Sequence, residues 1–556
     1  GIVTTDKDGI ASVNLASDQA VNSLIKAETN GSSQSVEVSF ITGDISQLTS
    51  TIKTDDVSYT AGGKIKVSVT LMDEQKNLVK GMASLLAGSS VVEVSGTDKN
   101  ETGNWSEESD GVYTSTRTAK IAGDRHYATL KLSTWSSAQQ SDAYAIRESG
   151  AVLAYSSIVT DKTAYTAGGA IKVTVTLKDS YENLVGGQRD AINQAIQLPN
   201  TKAESIAWNE DQKGIYTATY TALLPGTGLK AQLQMSGWAS ALTSNDYSIS
   251  GDAASAQIVA MQVTTGNPDV LANGSDRHTV NVRVEDQFGN VLPEQTVTFT
   301  VTKGAAVFAN AGQSADIRTD AHGMAEVDLS STVADASTVE AKINQSSDSK
   351  TVNFIADVST AQVAELVVTQ DGSVADGSTA NMLRVRVTDV FGNVLAGQTV
   401  SVLADNGATV APTVITEPDG TVEISVTSQT AGTSAVTASI NNSSQSRNVT
   451  FIADVSTAQI ADLVVTRDNS VADGAMANTL RVRVTDAFGN ALNGQTVSVL
   501  ADNGATVTPT VTTEPDGTVE ISITSQTAGV SAVTATINSS TQSQNVTFIA
   551  DVRTAK

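Results

Sequence analysis

The sequence predicts an all-β fold, a tandem array of small two-layer β-sandwiches forming an elongated rod. Three observations lead to it. The chain is 556 residues long, enough for several domains of about 100 to 150 residues rather than one large core. Apolar and polar residues alternate with period two over short runs, the mark of strands that bury one face and wet the other. These runs recur in blocks, which is the signature of a repeat architecture.

Composition bounds the function. Hydrophobic residues make up 40% and charged residues 17%, with 41 Gly and 8 Pro, so the chain is neither a disordered acidic tract nor collagen. With 34 basic against 59 acidic residues and a net charge of -25, no basic field exists to neutralise phosphate, which disfavours nucleic acid as a partner. No run of 18 apolar residues is present to cross a bilayer as a helix. Cysteine is absent, which removes disulfides, thiolate nucleophiles and Cys-ligated metals. A Cys-free chain also suits export in an unfolded state through a narrow pore, because an oxidising compartment could not cross-link it on the way. The opening Gly1-Ile2-Val3-Thr4-Thr5 lacks a basic start and an apolar leader, and it reads as the interior of a longer chain.

Taken in order, residues 1–44 match only the later half of the blocks further on. Thr5-Asp6-Lys7-Asp8-Gly9 corresponds to Thr416-Glu417-Pro418-Asp419-Gly420, and Phe40-Ile41 closes it. Two related domains follow, 45–151 and 152–252. Ala61-Gly62-Gly63 returns as Ala167-Gly168-Gly169, and Gly111-Val112-Tyr113 returns as Gly214-Ile215-Tyr216. Trp105 and Trp135 return as Trp208 and Trp238, so this pair holds all 4 tryptophans. Ile65 to Val69 and Ile171 to Val175 alternate as strands, and Asp190 to Leu198 has the apolar spacing of one short helix.

The last three blocks are 253–357, 358–454 and 455–556. Phe391-Gly392-Asn393 returns 97 residues later as Phe488-Gly489-Asn490, and about four in five positions of these two copies agree. Phe288-Gly289-Asn290 marks the more divergent earlier copy. Leu383, Val385 and Val387 alternate with Arg384, Arg386 and Thr388, and similar runs surround Val400, Val422 and Val436. Asp405-Asn406-Gly407 and Pro418-Asp419-Gly420 supply the turns between them. About seven short strands in a block of this length is the profile of an immunoglobulin-like sandwich.

The series Leu-x-Val-x-Val-x-Asp-x-Phe-Gly-Asn within residues 376–403 and 473–500 resembles the bacterial immunoglobulin-like group 1 repeats of the intimin and invasin adhesins. The pair at 45–252 resembles the invasin middle-domain type. The resemblance implies an extracellular segment of an adhesin at the bacterial surface. A β-barrel absent from this sequence would anchor it in the outer membrane. It further implies attachment to a host cell-surface or extracellular-matrix protein, a monomeric chain, and neither enzymatic activity nor a cofactor. The alternative is a structural stalk spacer with no ligand of its own. A lectin-like tip, where intimin and invasin bind their receptors, is lacking, so no binding residue carries over. Five and a half units end to end would reach on the order of 150 to 250 Å.

Candidate site residues are weighed against plainer roles. Exposed indoles stack on sugars, but a Trp at one place in two related sandwiches fits a core plug better; Trp105 and Trp208, beside polar loops, are the pair expected to be the more exposed. Asp357, Asp454 and Asp551 recur at block junctions with Asp389 and Asp405 nearby, where a cation could bind. Their spacing lacks a calcium-loop pattern, and turn capping accounts for them better. His126, His278 and His322 stand in unrelated contexts with no nucleophile motif. No catalytic, metal or cofactor-binding residue is therefore assigned, and the binding residues stay unassigned.

Overall fold

The computed structural model describes residues 1–553, which are mostly β-strand. The end of the last block, as expected at Lys556, lies outside the described residues. The chain forms two compact units: residues 1–255 with 286–290, and residues 256–285 with those from 291 onward.

The first unit opens on a hairpin of Asn22–Thr29 and Ser32–Ser39, antiparallel from Asn22↔Ser39 to Thr29↔Ser32. Its turn is Asn30-Gly31, both at positive φ, which matches the twist of the two strands. The turn at Asp6 to Ile10 forms as its counterpart does at Glu417 to Thr421, with Gly9 N–H donating to Asp6 O. No strand follows it over residues 10–16. Among the described residues there is no neighbour equivalent to Asn381–Thr388 for residues 10–16 to pair with, so the strand-forming pattern goes unused.

Two sandwiches complete the unit. In one, the strands Thr51–Thr54, Lys64–Thr70, Val112–Thr118 and Ser106–Ser109 lie side by side in that order. The opposing layer is split into two three-stranded pieces, one holding Tyr144–Arg147 and the other Ala128–Leu130. Between them lies a core containing Ile65, Val67, Val69, Tyr113, Leu130 and Ile146. The alternation of Ile65, Val67 and Val69 with Lys64, Lys66 and Ser68 carries over directly into one buried and one wetter face. The second sandwich repeats this around Ile171, Val173, Tyr216 and Tyr247. The short helix is present as Arg189–Ala195, with Ile192 buried, and Ile196–Gln197 turns back into a strand.

In the second unit three further sandwiches share one plan. In the middle copy a four-stranded sheet runs Gln362–Gln370, Asn381–Thr388, Thr421–Thr427, Thr409–Val410. A five-stranded sheet runs Ser373–Val374, Ser443–Ile452, Gly432–Ile440, Thr399–Ala404, Thr413–Ile415. All neighbours are antiparallel except Ser373–Val374, which pairs parallel with Ser443–Ile452. Nine strands therefore replace the seven expected. The additional ones are two or three residues long, too short to show a period. Leu383, Val385, Val400, Val436 and Phe451 fill the core, each contributing about 1.5–3 kcal/mol by burial.

Candidate binding surface and domain joints

The four indoles are placed by the loops around them. Trp135 and Trp238 lean on the chain entering their own sandwich, their Nε1 donating to Ile45 O at 3.3 Å and Ala151 O at 3.0 Å. Trp208 is buried, packed edge-on against Tyr220. Trp105 is half-buried beneath the Arg117 guanidinium. The expectation that Trp105 and Trp208 are the more exposed pair is corrected at Trp208, which is buried, while half-buried Trp105 is more exposed than the buried Trp135. Ile206, two positions before Trp208, joins the core beside it. No flat row of indoles is open to solvent.

The recurring Asp-x-x-x-Asn loops do more than turn the chain. Asp389 Oδ1 accepts the N–H groups of Phe391 and Asn393, while Oδ2 accepts Asn393 Nδ2 at 2.8 Å and Asp357 N–H at 3.2 Å. So oriented, Asn393 reaches the preceding sandwich. Its Nδ2 donates to Thr332 O at 3.0 Å and its Oδ1 accepts Ala334 N–H at 2.8 Å. Asn490 repeats the pair on Gln429 O and Ala431 N–H, and Asn183 repeats it on Lys120 O and Ala122 N–H. Asn77 does the same with Asp18 O and Ala20 N–H. Within the first unit Asn290 donates to Leu223 O, but two positions on stands Pro225, which has no N–H to return. The aromatic at the loop's third position is seated too. Tyr181 packs on Gly62, where an added Cβ would lie 3.3 Å from its ring. Phe288 packs on Gly168, where an added Cβ would come within 2.6 Å of it. Positive φ and this close approach together explain the Ala-Gly-Gly motif.

These carboxylates are spent on N–H donors. Burial pushes the Asp179 carboxyl up, yet the amide of Asn183 and the backbone N–H groups of Ser149, Tyr181 and Asn183 outweigh it, holding it below the ordinary carboxylate range. Asp357 and Asp454 each cap the short turn after them, through Ser359 and Ser456. Asp405 accepts Ala435 N–H at 2.6 Å, and Asp551 accepts Arg553 N–H at 2.8 Å. Among the described residues no three His, Asp or Glu side chains gather where they could hold a metal ion. The histidines stay apart: His126 lies in the first sandwich, His278 is buried with Nε2 2.8 Å from Asn353 O, and His322 is exposed beside Asp320.

Comparison with known proteins fits this architecture. Residues 260–355, 363–452 and 460–549 match the bacterial Ig-like domain (group 1). Over 409 residues, 71% of this chain, the sequence is 32% identical to the inverse autotransporter adhesin YeeJ of Escherichia coli (strain K12). The chain belongs to the intimin and invasin type of adhesins. As a segment of an adhesin of this type it is extracellular, on the outer-membrane surface. It spans 17% of YeeJ. Among solved structures, the Escherichia coli adhesin FdeC is 19% identical with a TM-score of 0.36, over 57% of this chain and 99% of that one. Invasin, described as a bacterial integrin-binding protein, is 23% identical with a TM-score of 0.30, over 52% of this chain and 60% of that one. YeeJ, FdeC and invasin are adhesins, not enzymes.

Proposed function

We propose that this segment takes part in attachment to a host cell-surface or matrix protein, as a monomer whose sandwiches hold binding surface away from the cell. The observation that supports it is the joint itself. An Asn side chain fixed by a fully engaged Asp links successive sandwiches by paired hydrogen bonds, as at Asn183, Asn393 and Asn490. Such joints preserve the order and presentation of surfaces along a chain, which a flexible linker would not. The division into 1–44, 45–151, 152–252, 253–357, 358–454 and 455–556 is part of the same proposal. Each of the five cores falls inside one of these segments.

Titration of the purified chain onto host cells and immobilised matrix proteins tests this reading. Saturable binding, competed by unlabelled chain, is the expected result. A linear, non-competable signal on every surface would leave the spacer function in its place.

A further inference from the structure

A clip of polar side chains recurs at the tip of one hairpin in the sandwiches of the second unit. In the middle copy Asn441 Nδ2 donates to Ala361 O at 3.2 Å, Ser443 Oγ accepts Val363 N–H at 3.1 Å, and Gln445 Nε2 donates to Val363 O at 3.0 Å. These bonds fasten the first strand, Gln362–Gln370, to the hairpin of Gly432–Ile440 and Ser443–Ile452. Asn538, Ser540 and Gln542 hold Ala458 and Ile460 in the same way, and Asn344 and Ser346 hold Ala256 and Ile258. Residues 5–41 correspond without a gap to 416–452, so Asn30, Ser32 and Gln34 occupy the places of Asn441, Ser443 and Gln445. Among the described residues these three side chains have no hydrogen-bond partner.

The face beside this clip is bare as well. Ile25 and Ala27 alternate onto one side of the hairpin together with Val38, and Phe40 follows. Their counterparts Val436, Ala438, Val449 and Phe451 are buried, in one core with Val363 and Leu366. Here Ala27 is exposed, Ile25, Val38 and Phe40 are half-buried, and none of the four joins a core. Val13 and Leu15 stand where Ile424 and Val426 are buried, yet they are 58% and 42% exposed. The hairpin has both edges free among the described residues, and two strands alone are marginally stable in water. Asn77 nonetheless grips Asp18 and Ala20 as Asn490 grips Gln429 and Ala431, so this half-repeat is seated on its neighbour in the manner of a whole one.

The complete copies state what covers such a face, and in which register. Asn381–Thr388 pairs with Thr421–Thr427, from Asn381↔Val426 to Arg386↔Thr421. Thr399–Ala404 lies along Gly432–Ile440, from Ser401↔Ser439 to Ala404↔Val436. We propose that residues 10–41 are a strand acceptor for the first half of a group 1 repeat carried by another polypeptide. Asn30, Ser32 and Gln34 grip the backbone of its first strand, residues 10–16 become a strand against its second, and its third adds to the edge at Ile25–Glu28. Main-chain bonds supply the affinity, and the alternate apolar side chains select the partner. The chain's own first halves are committed to their own cores, so one chain does not satisfy its own acceptor. From the proposed function this takes only the setting apart of 1–44. Its test involves no host surface, so either reading can fail while the other stands.

Titration of a fluorescently labelled synthetic peptide of residues 358–404 with the intact chain, followed by anisotropy, tests it. Saturable one-to-one binding is expected, and none by a peptide carrying Val363→Asp and Leu366→Asp. Hydrogen exchange on the complex should show the amides of Ala11 to Leu15 and of Asn22–Thr29 slowed at least about tenfold. In the chain, Val38→Lys places a charge on the bare face and should abolish binding. Ser32→Ala with Gln34→Ala should weaken it about tenfold to a hundredfold, the loss of two ordinary hydrogen bonds. Melting of the sandwiches reports that each variant is otherwise folded. No saturable binding by the parent chain overturns the proposal. So does undiminished binding by Val38→Lys, which would place the peptide in one of the complete repeats. Self-association of the chain that protects Asn22–Thr29 without peptide would give the face to a second copy and overturn it too.

Discussion

Asn183 Nδ2 donates to the carbonyl of Lys120 at 2.7 Å, and the same amide returns a bond by accepting Ala122 N–H at 2.8 Å. The two residues belong to different sandwiches, so this amide is a strut between domains. Asp179 holds the strut at the correct angle, with Asn183 Nδ2 3.0 Å from Asp179 Oδ2.

Asn183→Ala removes both cross-joint bonds and one donor to Asp179. Two ordinary hydrogen bonds are worth about 1–3 kcal/mol in all. Hydrogen exchange on the full chain should show the Ala122 amide exchanging roughly ten to a hundred times faster, as that free energy implies. Strands Val112–Thr118 and Ile215–Thr221 should keep their protection. Unchanged exchange at Ala122 would mean that the strut carries no load.

The Gly-x-Tyr motif makes a second, intradomain test. Gly214 sits at φ +73, where a Cβ would lie 2.8 Å from the backbone N of Val185, and Tyr216 carries its hydroxyl to the same segment. That hydroxyl donates to Val185 O at 2.8 Å and accepts Gln188 N–H at 3.1 Å, and burial pushes its pKa up to about 12. Tyr216→Phe leaves a donor and an acceptor unmet and should destabilise the second sandwich by about 1–3 kcal/mol. Urea unfolding followed by hydrogen exchange in Ile215–Thr221 measures it. A loss of less than a few tenths would show that water replaces the phenol.

What was legible in the sequence follows from the physics of each feature. Period-two alternation at Leu383, Val385 and Val387 is a local consequence of pleating, so strands and repeats could be read directly. The Asp-x-x-x-Asn loop was legible as a turn, because Asp389 bonds within four residues of itself. Its second role was not, since the partner of Asn393 is 61 positions away and belongs to another core. The exposure expected for Trp208 failed because polar neighbours in sequence say nothing of the side chains that pack on a ring, here Tyr220. Arg117 left a readable trace: it shares the inward face of Tyr113 and Ser115, and its counterpart in the related domain is Tyr220.

The first sandwich also carries its own sensitivity to acid. His126 lies on Gly123–His126, its Nδ1 2.8 Å from Ser95 Oγ and its ring stacked 5.8 Å from that of Tyr144. Nε2 is buried without a hydrogen-bond partner, and a Cβ added at Gly96 or Gly123 would come within 3.0 Å or 2.6 Å of the ring. The charged neighbours Asp124 and Arg147 pair with each other at 2.7 Å. Burial lowers the pKa of His126 below its ordinary 6.5, an effect the Ile121 backbone partly opposes. The folded state therefore binds fewer protons than the unfolded one. Stability is full above pH 6.5 and declines as the pH falls through that value toward the folded pKa. Melting of the first sandwich at pH 7.5 and 5.0, at constant ionic strength, should show a drop that His126→Phe abolishes, because Phe keeps the stack on Tyr144 and cannot take a proton. An equal drop in the Phe variant would assign the acid sensitivity to another group.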